Sequence, residues 1–128
     1  MNGVGIQSVT SNHSVDETIR RLTGLLQQKG VKLFAIVDHS GEAKAAGLDM
    51  PETKLLIFGN PKAGTPVMLS APSAALDLPL KILVSQQPDG TTLLSWNDPA
   101  WLQERHDFSA DLIANLAAAE ALARKAAE

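Results

Sequence analysis

A histidine that follows an apolar run is the first residue whose type and position suggest chemistry. His39 comes after Leu33–Val37, which is apolar on both faces, and stands next to Asp38. Its imidazole could act as a general acid or base or, when protonated, bind an anion. Neighbouring strand residues point to opposite faces, so adjacency alone does not place Asp38 against the ring. Asp38 could instead cap a short helix, and His39 could be a hydrogen-bonded structural histidine.

A lysine between two glycines lies where a strand gives way to a possible helix. In Gly59–Thr65, the backbone amides, the start of a helix and Lys62 would favour an anion, and Asn60 adds a polar side chain. The segment is not a P-loop, because Thr65 stands where that motif has lysine. The alternative is that its glycines and proline only shape a sharp exit from the sheet.

A second lysine interrupts an apolar strand. Lys81 lies between Leu80 and Ile82 in a stretch that otherwise alternates, so it could project into a pocket and hold a carboxylate or phosphate. The alternative is the solvated face of an antiparallel sheet.

The composition excludes other kinds of site. The chain has 128 residues, no cysteine, no tyrosine and a net charge of −3. Without cysteine there is no disulfide scaffold, thiolate nucleophile or iron–sulfur site, and without a basic stripe a nucleic-acid partner is not expected.

His13, His39 and His106 lack metal-ligand spacing, so neither a metal nor a cofactor is expected. His13 and His106 are predicted at the surface and Asp77 in a turn, and no Gly-x-Ser-x-Gly elbow occurs.

Periodicity and capping signals predict the elements that must position these residues. Ser14 and Glu17 form a capping box, followed by apolar residues at helical spacing up to Lys29-Gly30. Shorter helical turns are expected over Glu42–Ala46 with Ser40 as cap, and after Thr65 as cap. A final helix is expected over Ser109–Ala127. The expected strands are Val4–Val9, Leu33–Val37, Thr53–Gly59, Leu80–Gln86 and Thr91–Trp96, the last two joined by the turn Pro88-Asp89-Gly90.

This order predicts one α+β domain over residues 1–128, with a β-α-β-β-β-β-α succession. The helices are expected on one face of an antiparallel sheet. No apolar run approaches the ~20 residues that cross a bilayer, and the N-terminus lacks signal-peptide features. A cytoplasmic protein with no membrane partner is therefore expected.

Several of these residues also carry a resemblance to a known family. The sequence resembles the domain of unknown function 302 family from about Val4 to Trp96. The matching residues are Glu17-Thr18-Ile19, Phe34-Ala35, Asp38-His39 with Ala43, Leu56-Ile57-Phe58-Gly59-Asn60-Pro61-Lys62 and Leu76-Asp77-Leu78-Pro79-Leu80-Lys81. The resemblance implies a β-α-β(4)-α arrangement similar to TATA-binding-protein-like folds and a homodimer. It implies no activity.

Three functional hypotheses remain. The first is a small-ligand binding module that contacts a polar or anionic molecule through His39, Asn60, Lys62 and Lys81. The second is an enzyme with His39 as general acid or base and a lysine that stabilises negative charge, which requires both in one cavity. The third is a structural or interaction domain without a pocket.

Overall fold

One antiparallel sheet organises the chain in the computed structural model, which describes residues 3–128. Its strands are β1 (Ile6–Ser11), β2 (Lys32–Asp38), β3 (Thr53–Gly59), β4 (Leu80–Gln86) and β5 (Thr92–Asn97). They lie in the order β1-β5-β4-β3-β2. The helices are α1 (Val15–Gln28), α2 (His39–Ala45), α3 (Pro61–Ser70), α4 (Pro99–His106) and α5 (Ala118–Ala127), with 3₁₀ helices at Pro72–Leu76 and Ala110–Leu116. The predicted α+β class and the order of the main elements are confirmed.

Two helices, α1 and α5, cover one face of the sheet. The predicted capping box begins α1, where Ser14 Oγ accepts a hydrogen bond from the Glu17 amide at 3.1 Å. Alanines on α5 are small enough for the helix to pack closely. Each large apolar side chain buried here contributes roughly 1.5–3 kcal/mol. The core between this face and the two helices includes Leu22, Leu26, Leu56, Phe58, Ile82, Val84, Leu94, Ala119, Leu122, Ala123 and Ala126.

The opposite face of the sheet is not covered by α1 or α5. Side chains alternate along a strand, so Leu55, Lys81 and Leu83 point away from the core that contains Ile82. On the first strand Ile6 keeps 41% of its surface exposed. This face is called the open face below.

A second, smaller hydrophobic cluster lies at one end of the sheet, where β3 ends and β4 begins. It joins α3 and α4 to the two 3₁₀ helices and is built on Val67, Ala71, Ala74, Leu102, Phe108 and Leu116. The segment from Asn60 to Pro79 therefore contains helices that pack against one another. This end of the sheet holds the cavity described below.

Several predicted boundaries are wrong, and the structure gives a reason for each. The first strand begins at Ile6 rather than Val4, because Gly5 has φ +73° and a Cβ there would collide with the Trp101 ring. α3 is capped by Asn60 instead of Thr65. The final helix is interrupted where Asn115 Nδ2 donates to the Ala63 carbonyl at 3.0 Å, so its first part is a 3₁₀ helix held against α3.

The short second helix, α2, begins at His39, and its cap is Asp38 and not the predicted Ser40.

Over the described residues, 3–128, no helix has both the length and the apolar character to cross a membrane.

Candidate functional site

A cavity of about 270 Å³ opens where β3 ends and α3 begins. Phe34 and Gly59 line it from the sheet, and Gly64 and Met68 line it from α3. The chain leading into β4 adds Leu78, Pro79 and the first strand residue, Leu80, and the second 3₁₀ helix adds Asn115 and Leu116. Four separate stretches of chain therefore form the cavity.

Local sequence signals explain why α3 starts beside this cavity. Asn60 Oδ1 accepts a hydrogen bond from the Lys62 amide at 3.0 Å, which satisfies one free donor of the first turn. Pro61 follows at a helix-compatible position. Gly64 presents no side chain, and the nearest heavy atom to a Cβ placed there would be Leu78 Cδ1 at 3.9 Å. The helix wall is therefore open at this position.

The lining is apolar apart from three side chains. Asn60, Thr65 and Asn115 are the polar residues around the cavity, and the residues described there include no acid, lysine, arginine or histidine. Asn60 Oδ1 and Asn115 Nδ2 already bond to the backbone. The arrangement suits binding of an apolar group, whereas acid–base chemistry would need a titratable side chain.

Positive charge lies beside the cavity without lining it. Lys62 is an exposed residue of the first turn of α3. Lys32 Nζ lies 5.1 Å from the ring centroid of Phe34, which is itself a lining residue. Of the four predicted site residues, the structure therefore places Asn60 at the cavity and Lys62 next to it.

Lys81 is held on the open face instead. Its Nζ donates to the carbonyls of Asp77 and Pro79, both at 3.0 Å. Burial lowers the pKa of its ammonium below the usual value, and the nearby Asp77 carboxylate partly opposes that effect. It lines a shallower depression of about 160 Å³ with Leu55 and Leu83. Lys81 thus stabilises the chain before β4 through these hydrogen bonds and does not line the 270 Å³ cavity.

His39 lies at the opposite end of the sheet. Its neighbour Asp38 pairs with Lys54 at the start of β3. Asn60 comes six residues after Lys54, so the two ends are about 20 Å apart at ~3.3 Å per residue. His39 is exposed at the start of α2.

Asp38 acts as the cap of α2. The Gly41 amide at 3.0 Å and the Ser40 hydroxyl at 2.9 Å donate to its carboxylate and hold its pKa below the usual value.

The enzyme hypothesis based on His39 is therefore wrong in its geometry. It required His39 and a lysine to meet in one cavity, and Lys62 lies in the first turn of α3, beyond the far end of β3. Lys81 pairs with Ile57, three residues beyond Lys54 and two strands away from Asp38. At ~3.3 Å per residue and ~4.8 Å per strand, that separation exceeds about 10 Å.

A polar cluster that the sequence did not predict joins α4 to the first 3₁₀ helix. His106 Nε2 lies 2.5 Å from Asp77 Oδ2, and His106 Nδ1 lies 2.8 Å from Ser73 Oγ. Arg105 Nη1 donates to both Asp77 oxygens, at 2.9 and 3.2 Å. The His106 side chain is only 4% exposed, so its predicted surface position is wrong. The polar run around it gave no signal of burial, because the partners lie 29 and 33 residues away.

Comparison with solved structures agrees with this fold. An uncharacterized conserved protein DUF302 from Bacillus stearothermophilus superposes with a TM-score of 0.80 over 98% of this chain and 97% of that one. The two sequences are 23% identical, so the likeness concerns the fold alone.

Curated relatives are longer proteins. The "Fluoride-specific ion channel FluC 1" of Brucella suis biovar 1 (strain 1330) is 45% identical over 104 residues, which cover 81% of this chain and 41% of that protein. The protein of the same name from Brucella abortus biovar 1 (strain 9-941) is equally similar, with 38% of its length covered. The chain thus spans about two fifths of these relatives.

The sequence profile of one family matches nearly the whole chain. It is described as "Domain of unknown function DUF302", and it covers residues 7–127. The predicted resemblance is therefore confirmed. This protein belongs to the DUF302 family.

Proposed function

We propose that this protein is a small-ligand binding module whose ligand has an apolar body and an anionic end. The cavity beside α3 carries the proposal. Its volume of about 270 Å³ is just below the roughly 300–1,000 Å³ typical of small-molecule sites. Such sites combine apolar walls with a few polar groups, which is the composition found here.

Charge beside the cavity supports an anionic end. Lys62 and the N-terminus of α3 favour negative charge, and Lys32 lies against Phe34 in the cavity wall. A small carboxylic acid with a hydrocarbon or aromatic body would place its apolar part against Met68 and its carboxylate near these lysines. His39 and Lys81 have no part in this proposal, because they lie elsewhere.

A ligand series tests both halves of the proposal. Thermal shift and titration calorimetry would compare aliphatic and aromatic carboxylates with alcohols of the same carbon skeleton. We expect carboxylates to bind more tightly, Gly64→Leu to abolish binding and Lys62→Gln to weaken it several-fold. Gly24→Leu and Lys44→Gln are matched controls on α1 and α2.

Two results would contradict the proposal. One is the absence of any stabilising compound in the series. The other is binding that survives Gly64→Leu as well as it survives Gly24→Leu, because the ligand would then lie outside the cavity.

We also propose that the chain forms a homodimer, as the family resemblance implies. The apolar side chains of the open face, Ile6, Leu55 and Leu83, support this arrangement. Light scattering should give twice the monomer mass, and Leu83→Glu should return a monomer. Leu48→Glu, at an exposed leucine just after α2, should leave the dimer intact. A monomeric wild type would contradict the proposal.

A second candidate function is a role beside a fluoride channel. The 45% identity to two proteins named as fluoride channels favours it. A titration with NaF against NaCl at equal ionic strength separates the two functions. Stabilisation by NaF alone would support fluoride binding by this chain, whereas an apolar cavity predicts no difference between the salts.

A further inference from the structure

Away from the cavity, three side chains with the residue types of a serine nucleophile site are connected by hydrogen bonds. Ser73 Oγ lies 2.8 Å from His106 Nδ1, and His106 Nε2 lies 2.5 Å from Asp77 Oδ2. Ser73 belongs to the 3₁₀ helix Pro72–Leu76, Asp77 caps the end of that helix, and His106 ends α4. The fold therefore holds a serine hydroxyl, an imidazole and a carboxylate in one row connected by hydrogen bonds.

The carboxylate determines which ring nitrogen carries the proton. Asp77 accepts two contacts from the Arg105 guanidinium, and an ionised carboxylate can only accept. The hydrogen bond to His106 Nε2 therefore requires a proton on that nitrogen. In the neutral ring Nδ1 then has the free lone pair, so the Ser73 hydroxyl donates to it. A serine hydroxyl that donates to an oriented imidazole is the activated form used in acyl transfer.

The three hydrogen-bonded side chains differ in solvent exposure in the way that acyl transfer to a serine needs. The His106 side chain is 4% exposed and the Asp77 side chain 18%, so the base is held in place and shielded from water. Ser73 is exposed and open to a substrate. Side chains three residues apart eclipse in a 3₁₀ helix, so Leu76, which is 73% exposed, lies on the same edge as Ser73. An apolar group is thus available beside the nucleophile.

We propose that Ser73 is a nucleophile, with His106 as its general base and Asp77 as the positioning residue, and that it accepts short apolar acyl groups from esters. Ser73 Oγ would attack the ester carbonyl carbon while its proton passes to His106 Nδ1. The bond to the leaving alcohol then breaks, and that alcohol takes the proton. Water attacks the acyl-serine in the second half, giving a proton to Nδ1 that returns to Ser73 Oγ as the carboxylic acid is released.

The ring nitrogens have exchanged roles relative to the serine-protease arrangement, where Nε2 faces serine and Nδ1 faces the carboxylate. Either nitrogen is basic in the tautomer that leaves its lone pair free. The proton transfer is therefore equivalent. This inference is independent of the proposed ligand cavity, which none of the three residues lines.

Covalent labelling with an alkyl fluorophosphonate tests the proposal on the full chain. The Ser73 oxygen would form a bond to phosphorus as the P–F bond breaks, and intact mass spectrometry with peptide mapping would locate the adduct. We expect one adduct, on Ser73, and none in Ser73→Ala. His106→Gln should slow labelling by roughly 100-fold or more, since general bases contribute about 10²–10⁴-fold.

Controls separate activation from structural effects. Ser109→Ala removes an exposed serine hydroxyl that bonds to Asp111 instead of an imidazole, and should label like the wild type. Asp77→Asn should slow labelling and change its pH profile, which a purely structural contact would not do. If His106→Gln does not fold, the mapped adduct of the wild type and its absence in Ser73→Ala still decide whether Ser73 is the nucleophile. An unlabelled Ser73, or labelling at an unchanged rate in a folded His106→Gln, would overturn the proposal.

Discussion

Replacing Gly64 by alanine should stabilise the protein and weaken its ligand binding at the same time. Gly64 is the fourth residue of α3 and has no left-handed backbone conformation. A Cβ placed there would meet Leu78 Cδ1 at 3.9 Å, an ordinary van der Waals distance, so alanine fits without strain. The added methyl group would extend from α3 into the space beside Leu78, where both residues line the cavity.

The expected magnitudes follow from helix propensity and from the size of a methyl group. Alanine is favoured over glycine within a helix by about 0.5–1 kcal/mol. In a domain of 128 residues that corresponds to a rise in Tm of about 2–5 °C. One methylene in an apolar pocket changes binding by about 1–3 kcal/mol, so a ligand that fills the cavity should lose at least about fivefold in affinity.

Gly24→Ala provides the matched control. Gly24 is an exposed residue of α1, and a Cβ there would meet nothing within 4 Å. Both variants should therefore gain similar stability in urea unfolding, but only Gly64→Ala should lose affinity in calorimetry. Destabilisation by Gly64→Ala would show that the wall at this point is already filled. An equal loss of affinity in Gly24→Ala would show that the ligand does not bind beside α3.

Three other perturbations test contacts elsewhere in the fold. Asp38 has a lowered pKa, so its ionised carboxylate stabilises the fold above the usual aspartate range, and this stabilisation is lost as the pH falls through the lowered value. In acid unfolding, the free energy of unfolding should therefore fall less in Asp38→Asn than in the wild type. Lys81 has a lowered pKa, so as the pH approaches 10.5 the folded state binds fewer protons than the unfolded state. In urea titrations, the stability of the wild type should therefore rise relative to that of Lys81→Met over this pH range. Phe108 is 1% exposed, so Phe108→Ala should cost about 3–5 kcal/mol in the same assay; a loss below about 1 kcal/mol would contradict the packing of the second cluster.

Elements specified by neighbouring residues could be predicted from the sequence. The first helix begins where Ser14 and Glu17 cap each other, and these groups lie within one turn. The hairpin of β4 and β5 has its predicted turn and an antiparallel register. The start of α3 was misplaced because Thr65-Pro66 and Asn60-Pro61 are the same kind of signal, a capping residue followed by proline. Only packing decides between two such signals.

The candidate site was predictable only in part, because its properties come from residues far apart in the chain. Asn60 and Lys62 were found through their own turn, but neither residue reveals that Phe34, Met68 and Leu116 enclose an apolar cavity beside them. The sequence therefore suggested a polar site where the structure has an apolar one with charge at its side.

His106 shows why burial of a polar residue is the hardest of these properties to infer. Its neighbours Glu104, Arg105 and Asp107 are all charged, and such a run is usually a solvated face. A polar side chain can nevertheless be buried when hydrogen-bond partners are supplied, and Asp77 and Ser73 supply both of them here. Because those partners come from another element, the position of His106 depends on the packing of α4 against the 3₁₀ helix. A buried and fully paired histidine next to an exposed serine is a property of that packing, and it makes Ser73 the side chain whose reactivity most needs to be measured.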